Sequence, residues 1–243
     1  MNFSSPLKKI ISRLISGAKV LILGDHTLSS RAYSHFSISF SQEGEDGILQ
    51  RIFEGKSIGF YVDVGSHHPQ RFSNTYRFYL RGWNGINIDP LPGSKARFDA
   101  LRGRDISLEL GISDCPGELV YHAFEEPALN TFDAGVAASR DSGLISEAKI
   151  QVCRLSDVLD EYLAPEQKID FLSIDVEGLD LQVLRSNNWS NYRPTYVLAE
   201  ALGMRDVQHV IESDLYQYMS SVGYSLFAKC VNTLFFVDAH EKQ

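Results

Sequence analysis

Four apolar runs in this chain each end in a carboxylate: Phe60-Tyr-Val-Asp63, Gly85-Ile-Asn-Ile-Asp89, Ile169-Asp-Phe-Leu-Ser-Ile-Asp175 and Thr195-Tyr-Val-Leu-Ala-Glu200. An open parallel sheet binds its ligand outside the carboxyl ends of its strands. If these runs are strands of one such sheet, Asp63, Asp89, Asp175 and Glu200 converge on one crevice. A crevice of that charge accepts cationic centres and hydrogen-bond donors and resists phosphates.

The turn after the first run sharpens this restriction. Val62-Asp-Val-Gly-Ser66 has the strand, acid and glycine of a dinucleotide-binding turn, but His67-His-Pro-Gln70 fills the positions where further glycines would let backbone N–H groups approach a pyrophosphate. A carboxylate there suits a ligand with a sulfonium and an α-ammonium, such as S-adenosylmethionine, or it stabilises the turn. Asp89 is placed to accept both ribose hydroxyls of such a ligand. His67 and His68 can titrate near neutrality and are candidate bases, with a structural or exposed histidine as the alternative. His209 carries the same two readings.

The elements that would position these groups alternate. Strands are expected at Phe60 to Val64, Gly85 to Asp89, Ile106 to Leu110 and Ile169 to Ile174, with helices at Asn74 to Arg81, Pro92 to Leu101 and Ser156 to Leu163 between them. Ser73 is a plausible N-cap, Gly82 a C-terminal closing glycine and Pro92 a first helical residue. Between Cys115 and Gln151 the alternation fails. Glu118 to Phe124 reads as an extra strand, followed by a stretch rich in Ala, Ser, Gly and Asp, and Ile150 to Leu155 leads back. This excursion, at about 115–150, is the candidate substrate-facing region; its Asn130 and Thr131 either contact substrate or form an ordinary turn. After Arg205, Val207, Val210, Ile211, Leu215, Tyr218, Met219 and Val222 step by three and four, which predicts one long helix. Tyr224 to Ala228 and Thr233 to Val237 are too close for a parallel crossover and should pair antiparallel. The predicted architecture is an α/β Rossmann-like sheet, mostly parallel with an antiparallel last strand and helices on both faces.

Composition is that of an ordinary globular chain of 243 residues, 44% hydrophobic and 22% charged. A formal charge of -8 disfavours wrapping of nucleic acid, whose phosphates need clustered Lys and Arg. Cys115, Cys153 and Cys230 are too few and too scattered for a disulfide framework or a zinc site, which fits a reducing cytoplasm. Leu7, Ile10, Ile11, Leu14 and Ile15 recur at helical spacing with Lys8, Lys9 and Arg13 between them. Residues 1–39 are therefore read as an N-terminal helical extension that docks on the domain at 40–243 or makes a peripheral membrane contact. Neither apolar run there is long enough to span a bilayer. The residues leave the oligomeric state open.

Five segments carry a family likeness: Ser41-Gln-Glu-Gly-Glu-Asp46, Phe60-Tyr-Val-Asp-Val-Gly65, Ser73-Asn-Thr75, Gly82-Trp-Asn-Gly85 and Ile169-Asp-Phe-Leu-Ser-Ile-Asp-Val-Glu-Gly178. Through them the chain, from Phe40 to about Asp238, resembles the FkbM-type family of S-adenosylmethionine-dependent methyltransferases. The loop after Gly65 departs from the family, with the His-His-Pro run in place of a common glycine. The resemblance implies a seven-stranded class I methyltransferase sheet. It places S-adenosylmethionine against Asp63, Gly65 and Ser66, with Asp89 on the ribose and Ile112 and Asp114 near the adenine. Gln42 and Asp46 would form a lid over the cofactor, or else a helix cap and a solvated face. Asp175 would lie where acceptor and methyl donor meet.

The family is associated with O-methylation of sugar, glycoconjugate or secondary-metabolite hydroxyls. Such hydroxyls are weak acids, so transfer needs a base or a metal. Asp175, Glu200, His67 and His68 are the candidate catalytic groups, and Asp175 and Glu200, joined by Glu177, could hold Mg²⁺. Glu177 could equally cap the next helix. Two other functions compete: a non-catalytic module that binds S-adenosylmethionine, and a nucleotide-dependent oxidoreductase, against which the missing glycine fingerprint counts.

Overall fold

The computed structural model describes residues 37–140, 143–204 and 206–240. The expected N-terminal helix lies outside the described residues. From Ser39 onward the chain forms one compact unit, built on a seven-stranded sheet.

The strands of that sheet, with the helices between them, are β1 (Phe60–Val64), α2 (Tyr76–Leu80), β2 (Asn84–Ile88), α3 (Ser94–Leu101), β3 (Ile106–Leu108), α5 (Leu155–Tyr162), β7 (Phe171–Ile174), α6 (Asp180–Arg185), β8 (Tyr196–Glu200), α7 (Val207–Glu212), α8 (Asp214–Ser221), β9 (Tyr224–Lys229) and β10 (Thr233–Asp238), preceded by α1 (Glu45–Ile52). Their spatial order is β3-β2-β1-β7-β8-β10-β9. All pairings are parallel except those of β10, which runs antiparallel to both β8 and β9. The chain starts in the middle at β1, steps outward to β3, then returns to place β7 on the other side of β1. That reversal makes the β1/β7 boundary the switch point.

Alternation along the central strands serves two cores. Phe60, Val62 and Val64 face a cluster with Leu155, Val158, Leu159, Val183, Leu184, Val210 and Met219 from the helices of one face. Tyr61, Phe171, Leu198 and Phe235 face Leu49 of α1, Phe53 just after it, Phe78 of α2 and Trp83. Every residue of β1 and β7 is buried, as expected of strands covered on both sides.

A second sheet holds the excursion: β4 (Gly111–Ile112), β5 (Gly117–Phe124) and β6 (Leu144–Cys153), in the order β4-β6-β5. β5 and β6 form a long antiparallel hairpin, and its connection carries a 3₁₀ turn at Pro127–Leu129 and the short α4 (Ala134–Ser139). Sequence periodicity finds only the last third of β6, because the earlier residues are exposed on both faces and show no alternation.

Two helix expectations are corrected. Pro92 does not open α3: the helix begins at Ser94 after Gly93 in the left-handed region, and Ser94 Oγ donates to Asp89 O at 3.1 Å. The single helix expected after Arg205 is two, broken at Ser213. Its hydroxyl accepts from Tyr216 N at 3.2 Å and caps α8, while Val207 and Ile211 of α7 stay 56% and 40% exposed. The apolar periodicity continues across a cap signal that outweighs it.

Candidate active site

The carboxyl ends of β1, β2 and β7 surround a partly open cavity, in the place where sheets of this kind take their ligands. Its walls come from the β1–α2 loop (Gly65, His67, Phe72), the end of β2 (Ile88, Asp89, Leu91), β4 (Gly111, Ile112), the β5 hairpin (Tyr121, Asn130, Thr131, Phe132) and the segment after β7 (Asp175, Val176, Glu177, Leu179), with Gln42 at the rim. Of the residues singled out by sequence, Gln42, Gly65, His67, Asp89, Ile112 and Asp175 line it, as do Asn130 and Thr131. Asp46, Asp63, Ser66, His68, Asp114 and Glu200 do not.

Gly65 turns the chain at the switch point. With φ at +78°, its added Cβ would lie 1.8 Å from Asp175 O, so the ends of β1 and β7 can approach only over a glycine. The N–H groups of Gly65 and Ser66 both donate to Ile88 O, at 2.9 and 3.1 Å. They are therefore committed to the sheet and cannot cradle a phosphate.

Asp89 sits just beyond β2, buried to 6% exposure, accepting from His67 N at 2.7 Å and Leu91 N at 2.9 Å. Burial, outweighing those two bonds, lifts its pKa to about 6. The two amides fix the carboxylate at the cavity wall while each oxygen keeps a lone pair for a ligand hydroxyl. Leu91, Leu110, Ile112, Tyr121 and Phe132 line the wall beside it as an apolar sleeve.

Asp175 is exposed, its side chain opening onto the cavity, with protein packed closely around the carboxyl. Burial first, then crowding by Asp180, Glu177, Asp63 and Glu45, raises its pKa well above the ordinary carboxylate range. Asp175, Glu177 and Glu200 each bring one oxygen within 4.8 Å of the others. In Glu200 the Oε2 atom is buried without a hydrogen-bond partner, and burial and the charge of Asp175 push its pKa up. Glu177 is partly neutralised by Arg140, 2.5 Å away on the C-cap of α4. Asp180 holds the arrangement from below: its Oδ1 accepts from Glu200 N at 3.1 Å, and burial raises its pKa to about 7.

His67 lines the cavity with Nε2 unpartnered. Burial, then Arg71 and His68, lower its pKa to about 4, so the ring is neutral at physiological pH and a poor proton acceptor. His68 instead closes a turn, its Nδ1 accepting from Gln70 N and Arg71 N at 3.1 Å each.

Asp63 belongs to a buried network on the opposite face of β1. Its Oδ2 accepts from Thr75 Oγ1 at 2.8 Å, and Thr75 Oγ1 also receives both terminal nitrogens of the fully buried Arg102 at 3.0 Å. Asp46 is likewise structural in placement, accepting from Ser39 Oγ, Phe40 N and Arg77 Nε at 2.7–3.0 Å. With Glu43 on Asn232 and Glu45 on Thr233, it fastens α1 to the sheet, leaving Gln42 as the one member of Gln42-Glu-Gly-Glu-Asp46 at the cavity. The Asp114 carbonyl accepts from Arg154 Nε at 3.3 Å.

Four described residues other than glycine have positive φ, and three of them, His67, Phe72 and Glu177, line this cavity. Backbone strain of this kind gathers at functional sites. Phe72 is also 41% exposed, with the Arg71 guanidinium 4.2 Å over its ring. No sequence pattern singles it out, since its signal is a backbone angle.

A family model described as Methyltransferase FkbM domain matches residues 63–226, from the end of β1 into β9. No curated protein and no solved structure gives a significant match.

Proposed function

The chain belongs to the FkbM methyltransferase family, and from that premise we propose that it transfers the methyl group of S-adenosylmethionine to a hydroxyl of a sugar, glycoconjugate or secondary metabolite. The observation that carries this reading is the separation of two acids across one cavity, Asp89 beside an apolar sleeve and Asp175 beside acidic neighbours. The residues fit the cofactor. Asp89 would accept the ribose hydroxyls, Leu91, Ile112, Tyr121 and Phe132 would enclose the adenine, and Gly65 would meet the methionine end, with Asp175 beyond it on the acceptor side. Bound there, S-adenosylmethionine supplies an electrophilic methyl whose transfer leaves a neutral thioether.

The chain's own residues supply position and a proton acceptor. The acceptor hydroxyl enters beside Asp175 and Glu177, with Phe72 and Gln42 at the rim. An oxygen of Asp175 would accept the hydroxyl's proton, and its raised proton affinity suits a base that must hold a proton near neutrality. A neutral His67 adds no positive charge beside the sulfonium. Holding hydroxyl and methyl in line supplies most of the acceleration. Calorimetry should show binding of S-adenosylmethionine and none of NADH, and a hydroxyl acceptor should release S-adenosylhomocysteine. Binding of NADH with hydride transfer would refute the reading, and cofactor binding with no transfer to any hydroxyl acceptor would favour a non-catalytic module.

One observation favours a second reading of the acidic end. The three carboxylates of Asp175, Glu177 and Glu200, one with an unpartnered oxygen, have the ligand type that suits Mg²⁺. The ion would lower the acceptor hydroxyl's pKa. Activity that survives exhaustive chelation assigns the proton to Asp175 alone; loss on chelation with recovery on adding Mg²⁺ assigns the ion.

A further inference from the structure

We propose that the open edge of β6 is a dimer interface, at which this strand pairs antiparallel with β6 of a second copy about a two-fold axis through Ala148. β5 occupies one edge of β6 along its length, from Gly117 opposite Val152 to Phe124 opposite Leu144. β4 covers the other edge only at Val152 and Cys153. Among the described residues, no strand lies against that edge from Leu144 to Gln151. Every residue from Leu144 to Lys149 is exposed, with Leu144 at 50% and Ile145 at 64%. A long unpaired edge strand is a ready template for pairing with another chain, and a two-stranded ribbon gains little stability alone.

The backbone hydrogen bonds fix which residues offer that edge. His122 exchanges both of its backbone hydrogen bonds with Thr131, at 2.9 and 3.2 Å, on the side of β5 away from β6. The facing pair His122 and Glu147 is therefore not hydrogen-bonded across the hairpin, and Glu147 turns its N–H and C=O to the open edge. Alternation gives the same orientation to Lys149 and Gln151, whereas the register shift between Ala123 and Phe124 takes Ile145 out of the alternation. Cys153 agrees, its carbonyl accepting from Ser113 N on the β4 side.

A two-fold axis perpendicular to the ribbon keeps each side chain on its own face, so these outward residues must meet one another. Three registers use the middle of the edge. Centring on Glu147 opposes two glutamates, and centring on Lys149 opposes two lysines. Centring on Ala148 sets Glu147 opposite Lys149 of the partner subunit, twice by symmetry, with a small residue at the axis. Within the chain, Glu147 stands 2.8 Å from His122 Nδ1 and Lys149 4.0 Å from Glu118, but both remain more than half exposed and free to reach across. The same hairpin carries Tyr121 into the cavity wall, so pairing would stiffen that wall.

Light scattering and sedimentation on the full chain test this. The wild type is expected to be a dimer. Lys149→Glu and Glu147→Lys should each weaken it by about tenfold or more, while circular dichroism stays unchanged. The double exchange Glu147→Lys with Lys149→Glu should restore the dimer, and mixing the two single variants should yield a heterodimer. A wild-type monomer overturns the proposal, including one whose β6 amides are protected from hydrogen exchange because another segment of the chain covers the edge. A dimer indifferent to both charge reversals overturns it too, by putting the interface elsewhere.

Discussion

Asp89 and Asp175 each follow directly on a strand of the central sheet, yet their surroundings differ, and the proposed function gives them different roles. Asp89 is fixed by two amides and faces an apolar sleeve. Asp89→Asn keeps an acceptor for only one of those two amides and loses the charge, so calorimetry should show S-adenosylmethionine binding weakened by about tenfold or more, with little change in kcat at saturating cofactor. Unchanged affinity would remove Asp89 from the cofactor. His67 is held neutral by burial, so His67→Gln should leave the shape of the activity profile between about pH 6 and 8 unaltered. Loss of a limb in that range would restore the ring as the base. Strand-end position makes Asp89 and Asp175 legible in the sequence. Side-chain direction does not show there: Asp63 ends its strand in the same way, but the alternation of β1 points it to Thr75 and the Arg102 network.

At the scale of elements, the central strands are legible because their apolar runs are too short for helices and are rich in β-branched and aromatic residues. The break after residue 205 is not, because an apolar stripe cannot register a cap in its middle. Ser213→Ala removes the bond to Tyr216 N and should cost about 1 kcal/mol, seen as a fall in Tm of roughly 2–4 °C. An unchanged Tm would mean that α8 is set by packing of Leu215 and Met219 alone. Gly65→Ala should do far more, since its Cβ would sit on the Asp175 carbonyl and force the ends of β1 and β7 apart. Low soluble yield or a large drop in Tm is the expected result. The β5–β6 hairpin is half visible because β6 is exposed on both faces, and a strand with no buried side carries no alternation.

The molecule as a whole concentrates buried acid at one end of its sheet. Asp63 and Asp89 have pKa values raised to about 6 and Asp180 to about 7, in each case chiefly by burial. A carboxyl with a higher pKa folded than unfolded binds a proton on folding. Its contribution is fully present below the unfolded value near 4 and is lost as pH rises through the folded value. Without ligand, stability should therefore increase as pH falls from about 8 to about 5. Denaturant titrations across that range check it, and Asp63→Asn should flatten part of the slope; a decrease toward pH 5 would contradict the assigned shifts. No described helix is long and apolar enough to cross a membrane.

The most direct test of the acidic end follows the methyl group itself. With methyl-labelled S-adenosylmethionine and a hydroxyl acceptor, wild type and Asp175→Asn are compared for label transfer and, by calorimetry, for cofactor affinity. Asp175→Asn is expected to bind the cofactor nearly as wild type does and to transfer label at least about 100-fold more slowly. Transfer at the wild-type rate with unchanged affinity would contradict the placement of Asp175 at the reacting hydroxyl.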